Sequence, residues 1–362
     1  MNIPGVTIII MNWNGWENII ECLQYLFQIN YPNYDVIIVD NHSEDDSLSK
    51  IRQYCTELNF KSDFDHKCVE LLEFTENEFK SAKNMEKGAY ASYVNKKLVL
   101  IKNEDNYGFA EGNNRGIQFA LHMFNPEYIL LLNNDTIVDK NFLNELVNVA
   151  EHDENVGSVQ SLLLKPGGKV IDSLGHEVLM WAGIDKEMNS EFKNDFYENV
   201  EIFGSCAAAA LYRTHILKEV GFFDKDFFAV YEDLDLSWKI RLEGYKSILA
   251  VKSIVFHKRG LSKTLSEVRN FDLLKQPVQG YDISKNLMIM AIRYNPLSHL
   301  LNLKYLYKLF ITSGGIIYFS LRTRKAQKTI KILIKNIKLR RNIQKNHLFK
   351  KIQKQWTVQK II

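Results

Sequence analysis

Val6-Thr-Ile-Ile-Ile-Met-Asn-Trp-Asn-Gly15 is an apolar, β-branched run that breaks into polar residues and a glycine. Its five leading residues do not alternate with polar ones. That reads as a strand buried on both faces, the signature of a parallel sheet covered by helices. Met-Asn-Ile-Pro-Gly ahead of it carries no positive charge, so the run reads as a first strand and not as a signal peptide. Working outward, Trp16–Phe27 predicts a helix with Ile19, Ile20, Leu23 and Leu26 or Phe27 on one side. Val36–Val39 predicts a strand, Ser43–Cys55 a helix, Leu98–Ile101 a strand, Gly112–His122 a helix and Tyr128–Leu132 a strand. The pattern lapses between Glu57 and Lys97 into a polar segment expected to be a surface insertion. After Pro166-Gly-Gly168 the order becomes mixed, with helices expected near Thr214–Val220 and Asp233–Leu242. A strand is expected at Ser247–Val251 and another short one ending near Phe256. The fold class is therefore α/β, with a mixed, mostly parallel sheet flanked by helices.

The charge divides the chain. The net of +3 over 362 residues hides a stretch from Ile283 to Ile362 with 18 Lys and Arg and no acidic residue. The first 282 residues hold all 43 acidic residues and a net of −15. An acidic body, 1–282, and a basic tail, 283–362, are expected to do different work. Hydrophobic residues at 46% and charged residues at 25% exclude a disordered, collagen-like or disulfide-scaffold chain. Four cysteines at irregular spacing (Cys22, Cys55, Cys68 and Cys206) suit a reducing compartment and offer no Cys-x-x-Cys pair for zinc. The longest uncharged stretch of the tail, Leu309–Leu321, has 13 residues, short of the roughly 20 a spanning helix needs.

Ligands of open α/β sheets sit at the carboxyl ends of the strands. The ends here are Asn12-Trp13-Asn14-Gly15, Asp40-Asn41-His42-Ser43 and Asn133-Asn134-Asp135-Thr136. Each alone is explained by helix capping, for which Asn, Asp and Ser are preferred; three on one edge point to a site. Gly108, Gly112 and Gly116 fall at four-residue spacing without the terminal Gly-Lys-Ser/Thr of a P-loop. For Gly112 and Gly116 tight packing of helix on sheet is the simpler account.

Taken in order, Val6–Gly15, Val39-Asp-Asn-His-Ser43, Asn106-Tyr-Gly-Phe-Ala-Glu-Gly-Asn-Asn-Arg-Gly116 and Leu131-Leu-Asn-Asn-Asp-Thr136 resemble family 2 of the glycosyltransferases. Gly221-Phe-Phe-Asp224 and Tyr231-Glu-Asp-Leu-Asp-Leu236 fit its rhamnosyltransferase-like branch, and the match runs from about Val6 to Ser262. The resemblance implies a GT-A fold, Rossmann-like, and inverting sugar transfer from a nucleotide-diphosphate donor. A hexose or deoxyhexose is the expected sugar.

Within that frame Trp13 is placed to stack on the base, and Asp40 or Asn41 to accept from a pyrimidine N3–H. The family often has an acidic residue second in this pair; here it is Asn41. Asn12, Asn106, Gly108, Asn114 and Asn134 complete the expected nucleotide-sugar contacts. Asn133-Asn134-Asp135 stands where the family has its Asp-x-Asp metal motif, leaving Asp135 as the carboxylate. His257 resembles a position that supplies a further metal ligand in some relatives, so Asp135 and His257 are the expected ligands of Mg2+ or Mn2+. By resemblance Asp233 is the catalytic base, with Glu232 as understudy or acceptor-binding partner. Acidic residues in a first helical turn are also favoured by the helix dipole alone. Two carboxylates would also serve a retaining glycosidase, a reading that leaves Trp13, Asp40 and Asn106 without a purpose. Gly204-Ser-Cys-Ala207 to Ala210 is expected as a small-residue floor, by close packing or to admit a sugar.

In the tail, Ile330, Leu333, Ile334 and Ile337 share one helical face, flanked by Lys328, Lys331, Lys335 and Lys338, and Tyr305–Phe319 adds apolar residues. A basic amphipathic helix reads as an element for an anionic membrane surface. A nucleic-acid-binding stripe and an extension packed on the acidic body compete with it; no nucleic-acid partner is expected. The combined expectation is a cytoplasmic enzyme, peripheral on the inner face of the cell membrane. Its acceptor is expected to be a lipid-linked glycan or a cell-surface polysaccharide precursor. The reduced Asn-Asn-Asp motif leaves a second possibility, a catalytically inactive nucleotide-sugar-binding scaffold.

Overall fold

The computed structural model describes residues 3–60, 70–78, 97–179, 183–186, 189–193, 198–259, 277–296 and 302–358. Cys68, Ser262 and most of the expected insertion lie outside them. The strands are β1 (Val6–Asn12), β2 (Tyr34–Asp40), β3 (Glu70–Thr75), β4 (Lys97–Lys102), β5 (Tyr128–Asn133), β6 (Thr136–Val138) and β7 (Val156–Leu164). They continue with β8 (Ile171–Ser173), β9 (His176–Leu179), β10 (Gly183–Asp185), β11 (Val200–Ile202), β12 (Ala209–Arg213), β13 (Lys246–His257) and β14 (Thr357–Val358). The helices of the body are α1 (Trp16–Leu26), α2 (Ser47–Phe60), α3 (Gly108–Met123), α4 (Phe142–His152), α5 (Thr214–Val220) and α6 (Glu232–Leu242). Those that follow are α7 (Pro277–Tyr294), α8 (Leu303–Arg322), α9 (Ala326–Lys345) and α10 (Phe349–Trp356).

The large sheet runs β11-β13-β7-β12-β5-β1-β2-β4-β3, with β6 on β13 and β8 on β7. From β5 to β3 every pairing is parallel; β12 enters antiparallel between β5 and β7. The period-2 alternation of a strand sorts the first run between two cores. Ile8 and Ile10 join Val36, Ile38, Leu98, Leu100 and the helix residues Leu23 and Leu146 on one face. Ile9 joins Ile37, Val39, Val99, Ile101 and the helix residues Ile117 and Ile216 on the other. Burial of both sets explains why the run shows no polar alternation.

Two expectations are corrected here. The segment taken as an insertion contains β3, which pairs in parallel with β4 and extends the sheet; the exposed Glu73 and Thr75 hide a strand at the sheet's edge. The two short strands after Ser247 are one strand, β13, whose pairing with β7 shifts register between Ala250 and Ile254. That β-bulge is what breaks the sequence pattern.

Helix α7 runs unbroken through the charge boundary at 282/283 and packs into a cluster with the body: Ile289, Met290 and Tyr294 meet Phe203, Leu234 and Trp238. Tyr294 stacks on Trp238 at 4.7 Å. On α9 the buried residues are Thr329, Ile332 and Asn336. The stripe read from the sequence points outward, with Ile330, Ile334 and Ile337 each at least half exposed. β14 returns to pair with β9 in a small sheet.

Candidate active site

The strand order reverses between β1 and β5, and the polar ends of these strands open at that switch point. Asn12, fully buried, donates from Nδ2 to Asp40 Oδ1 (2.9 Å) and to Ser43 Oγ (3.2 Å). Ser43 donates to Asp40 through both its hydroxyl (2.6 Å) and its amide (3.1 Å). Asn134 reaches Asn12 Oδ1 at 3.4 Å. Asp40 is thus held by donors from two strand ends. Asn41 sits in a second knot: its Nδ2 donates to Asn106 Oδ1 (2.8 Å) and Gly108 O (3.3 Å), and its Oδ1 accepts from Asn103 Nδ2 (3.0 Å) and Tyr107 N (3.2 Å). Asn41 ties β2 to the turn that opens α3. Trp13 stands about half exposed at the same edge.

The glycines of α3 divide as the spacing suggested. A Cβ on Gly112 would fall 2.2 Å from Met11 Cε, and one on Gly116 2.7 Å from Ile9 Cγ2, so both serve helix-on-sheet packing. Gly108 has φ +75 and lies against Phe228 of the loop before α6. Asn114 faces away from the strand ends: its Nδ2 donates to Phe223 O (2.9 Å) and its Oδ1 accepts from Phe223 N (3.0 Å). The structure therefore does not bring it into the Asn12–Asp40 network.

On the other side, Asp135 and His257 meet, Oδ1 to Nε2 at 3.1 Å. The Nδ1 of His257 is held by the fully buried Asp172 at 2.8 Å. Arg259 bridges Asp172 (2.5 Å) and Asp185 (2.7 Å). Against the penalty of burial, the hydrogen bonds with Asp135 and Asp172 raise the imidazole to about 9. A carboxylate on Nδ1 orienting Nε2 is the arrangement that metal-ligating histidines use. Once a cation displaces the Nε2 proton, Asp135 and His257 would offer one oxygen and one nitrogen side by side, which fits a divalent cation whose other ligands come from phosphate and water. No group of three or more His, Cys, Asp or Glu that could hold a metal occurs among the described residues.

Asp233 and Glu232 open α6. Asp233 Oδ1 accepts from the Leu234 amide (2.8 Å), and its Oδ2 accepts from the Ala207 amide (3.2 Å) and lies 3.3 Å from His176 Nε2. Burial opposes its charge, yet His176 and the two amides hold the carboxyl below the usual range. Glu232 is pushed the opposite way, well above that range, by burial and then by the charge of Asp233. Its Oε2 is buried without a hydrogen-bond partner. Two adjacent acids whose environments push their protonation in opposite directions form the pattern in which one carboxyl accepts a proton and the other holds one. Gly204, in the expected small-residue floor, is filled by packing, since a Cβ would fall 2.0 Å from Ser237 Oγ.

His176, Asp172, Asp185 and Arg259 escaped the sequence reading. They come from short strands β8–β10 and the end of β13, too brief for periodicity to reveal. Arg259, two residues after His257, was the available signal.

Similarity to known proteins bears on the fold and the family. Relatives include the low-salt glycan biosynthesis hexosyltransferase Agl10 of Haloferax volcanii, 26% identical over 40% of this chain and 47% of its own. The poly-beta-1,6-N-acetyl-D-glucosamine synthase of Staphylococcus aureus is 20% identical over 67% of this chain and 47% of its own. The chain thus spans about half the length of these relatives. Among solved structures, GalNAc-T7 with UDP, GalNAc and Mn2+ superposes with TM-score 0.54 at 14% identity, covering 81% of this chain and 49% of that one. The mannosyltransferase PcManGT of Pyrobaculum calidifontis, with GDP-Man and Mn2+, superposes with TM-score 0.51 at 15% identity, over 98% and 88%. These establish the GT-A fold. The family model for glycosyl transferase family 2 matches residues 7–94 and 87–221, more than half of the sequence and every strand end of the site up to Ala207, and the chain belongs to that family.

Proposed function

We propose that this chain is an inverting glycosyltransferase. It moves a hexose or deoxyhexose from a nucleotide-diphosphate sugar to a hydroxyl of a lipid-linked glycan or cell-surface polysaccharide precursor. The observation that carries the reading is the Asp233 carboxylate, held by the Leu234 and Ala207 amides and His176, with Ala207 leading into β12, the partner of β5, beyond whose end Asn134 joins the Asn12–Asp40 network. The acceptor oxygen attacks the anomeric carbon from the side opposite the diphosphate. The new glycosidic C–O bond forms as the bond to the diphosphate breaks, and the hydroxyl proton passes to Asp233 Oδ2. His176 stabilises that carboxylate until the proton arrives. Trp13 and Asp40 bind the nucleoside end. Asp135 and His257 would hold Mg2+ or Mn2+, which when bound neutralises charge on the departing diphosphate. The names of the two relatives, both of glycan assembly, support the acceptor class. Gly221–Asp224 and Tyr231–Leu236 support the rhamnosyltransferase-like branch.

The tail is proposed to hold the enzyme on an anionic membrane surface at the cytoplasmic face. Leu303, Tyr307, Phe310, Ile317 and Leu321 of α8 recur at helical spacing and are all exposed, beside a unit with 18 basic and no acidic residues. No helix among the described residues is long and apolar enough to cross a membrane.

A screen of thymidine-, uridine- and guanosine-diphosphate sugars, with and without EDTA, tests the enzyme reading. Turnover of one donor that is abolished by EDTA and restored by Mn2+ or Mg2+ is the expected result. Nucleotide-sugar binding without transfer or donor hydrolysis would favour the scaffold reading, for which the single carboxylate of Asn133-Asn134-Asp135 is the observation.

A further inference from the structure

We infer that Asn286, on the first helix of the C-terminal unit, is a positioning residue for the catalytic acids, an inference that rests on the proposed role of Asp233. The loop that delivers Glu232 and Asp233 is held in a costly conformation. Phe228, Val230 and Tyr231 have φ of 62, 72 and 73, the left-handed region that residues with a Cβ avoid. Tyr231 is the N-cap of α6 but supplies no side-chain cap.

Something outside the loop must therefore hold it. The carbonyls of Phe227, Ala229 and Val230 converge on the single amide nitrogen of Asn286, at 2.8, 2.7 and 2.7 Å. Asn286 is fully buried. Three carbonyl oxygens facing one point repel each other unless a donor sits between them, and an uncharged NH2 group is a donor that needs no counter-ion there. Lys285 Nζ adds a longer contact to Phe227 O at 3.4 Å.

The same helix also grips the segment beyond the loop. Arg293 pairs with Asp235 at 2.5 Å and with Asp224, and Tyr294 OH donates to Asp235 Oδ1 at 2.7 Å. Segment 224–235 is thus tied to α7 on both sides of the strained turn. That turn in addition faces the donor side: Ala110 N donates to Phe228 O at 3.0 Å, and Gly108 leaves room for the Phe228 ring. Asn286 consequently sets the distance between the donor-side turn and Asp233, although it touches neither substrate. The helix that begins the basic tail is part of the catalytic machinery.

The test uses the full chain carrying Asn286→Leu, which keeps the volume and removes the donor. Transfer is measured with the donor that the wild type turns over, binding with the corresponding nucleotide diphosphate, and backbone motion by hydrogen exchange. The expected result is a fall in kcat of at least 30-fold with donor KM within threefold, normal nucleotide binding, and faster exchange confined to 227–231. Should leucine prevent folding, Asn286→Gln, which keeps the amide but displaces it, is expected to show the same split. A folded variant with kcat within threefold of wild type overturns the inference, as does unchanged exchange at 227–231. A wild type that transfers no sugar overturns the enzyme reading instead, and the exchange comparison still decides the role of Asn286.

Discussion

On the donor side of the site, Asn12, Asp40, Ser43, Asn41, Asn103 and Asn106 form networks with one carboxylate among six side chains. On the transfer side, Asp135, Asp172, Asp185, Asp233, His176, His257 and Arg259 are all ionisable and paired. Both sides are well bonded, but the donor side stands at and just beyond the strand ends of the large sheet, while the transfer side draws His176 and Asp185 from the small sheet and Asp233 from α6. The difference is what a bond does in each. Neutral amides fix shape, while paired charges fix protonation, and only the second kind responds to pH or to a cation.

Substitutions should therefore separate the two sides by the parameter they change. The largest effect is expected on the transfer side: Asp233→Asn should lower kcat by about 10²–10⁴-fold with donor binding preserved, as read by steady-state kinetics beside calorimetry. Retained turnover would remove Asp233 as the base. Next, Asp172→Asn frees His257 to turn or change tautomer and should weaken Mn2+ activation by about 10–100-fold, measured as the cation concentration for half-maximal rate. On the donor side, Trp13→Ala should cost about 1 kcal/mol of nucleotide affinity, the low end for a stacked base because the ring is half exposed, with kcat unchanged. A loss of kcat without a loss of affinity there would break the comparison.

The pH dependence follows from the same contrast. Asp233 has a folded value below the usual carboxylate range, so the ionised base is present above that range and lost only as pH falls through the depressed value. His176→Gln removes the imidazole that holds the Asp233 carboxyl down, and the acid limb of kcat/KM is expected to move to higher pH. Removing neutral Asn103 on the donor side should leave that limb in place. The smallest effect on catalysis is expected from Phe310→Glu with Ile317→Glu: co-sedimentation with anionic vesicles should fall while turnover of a soluble acceptor is unchanged.

The donor half was legible because each strand ended where an apolar run met Asn, Asp or Ser, as in Ile38-Val39-Asp40-Asn41. Burial on both sheet faces makes such runs continuous, and continuity is what a sequence displays. β3 was missed because an edge strand faces solvent in part and carries the exposed Glu73 and Thr75. The transfer half was legible only in Glu232, Asp233 and, through resemblance, Asp135 and His257. Asp172 and His176 stand on strands of three and four residues, which have no period to read.

The sequence by itself determined the layered α/β body, the order of its strand ends, the family and the division of charge at Asp282. Those properties are local runs and composition, and they survive without knowledge of what packs on what. Only the tertiary structure decided that Asn41 is tied to the side chains and backbone of the turn before α3 and Asn114 to the backbone of Phe223, that their surroundings push Asp233 and Glu232 in opposite directions, and that the apolar stripe of α9 faces outward. It alone placed Asn286, fifty-three residues after Asp233, against the loop that presents Glu232 and Asp233. Burial, protonation and facing depend on neighbours brought together from distant parts of the chain, and no spacing along the chain encodes them.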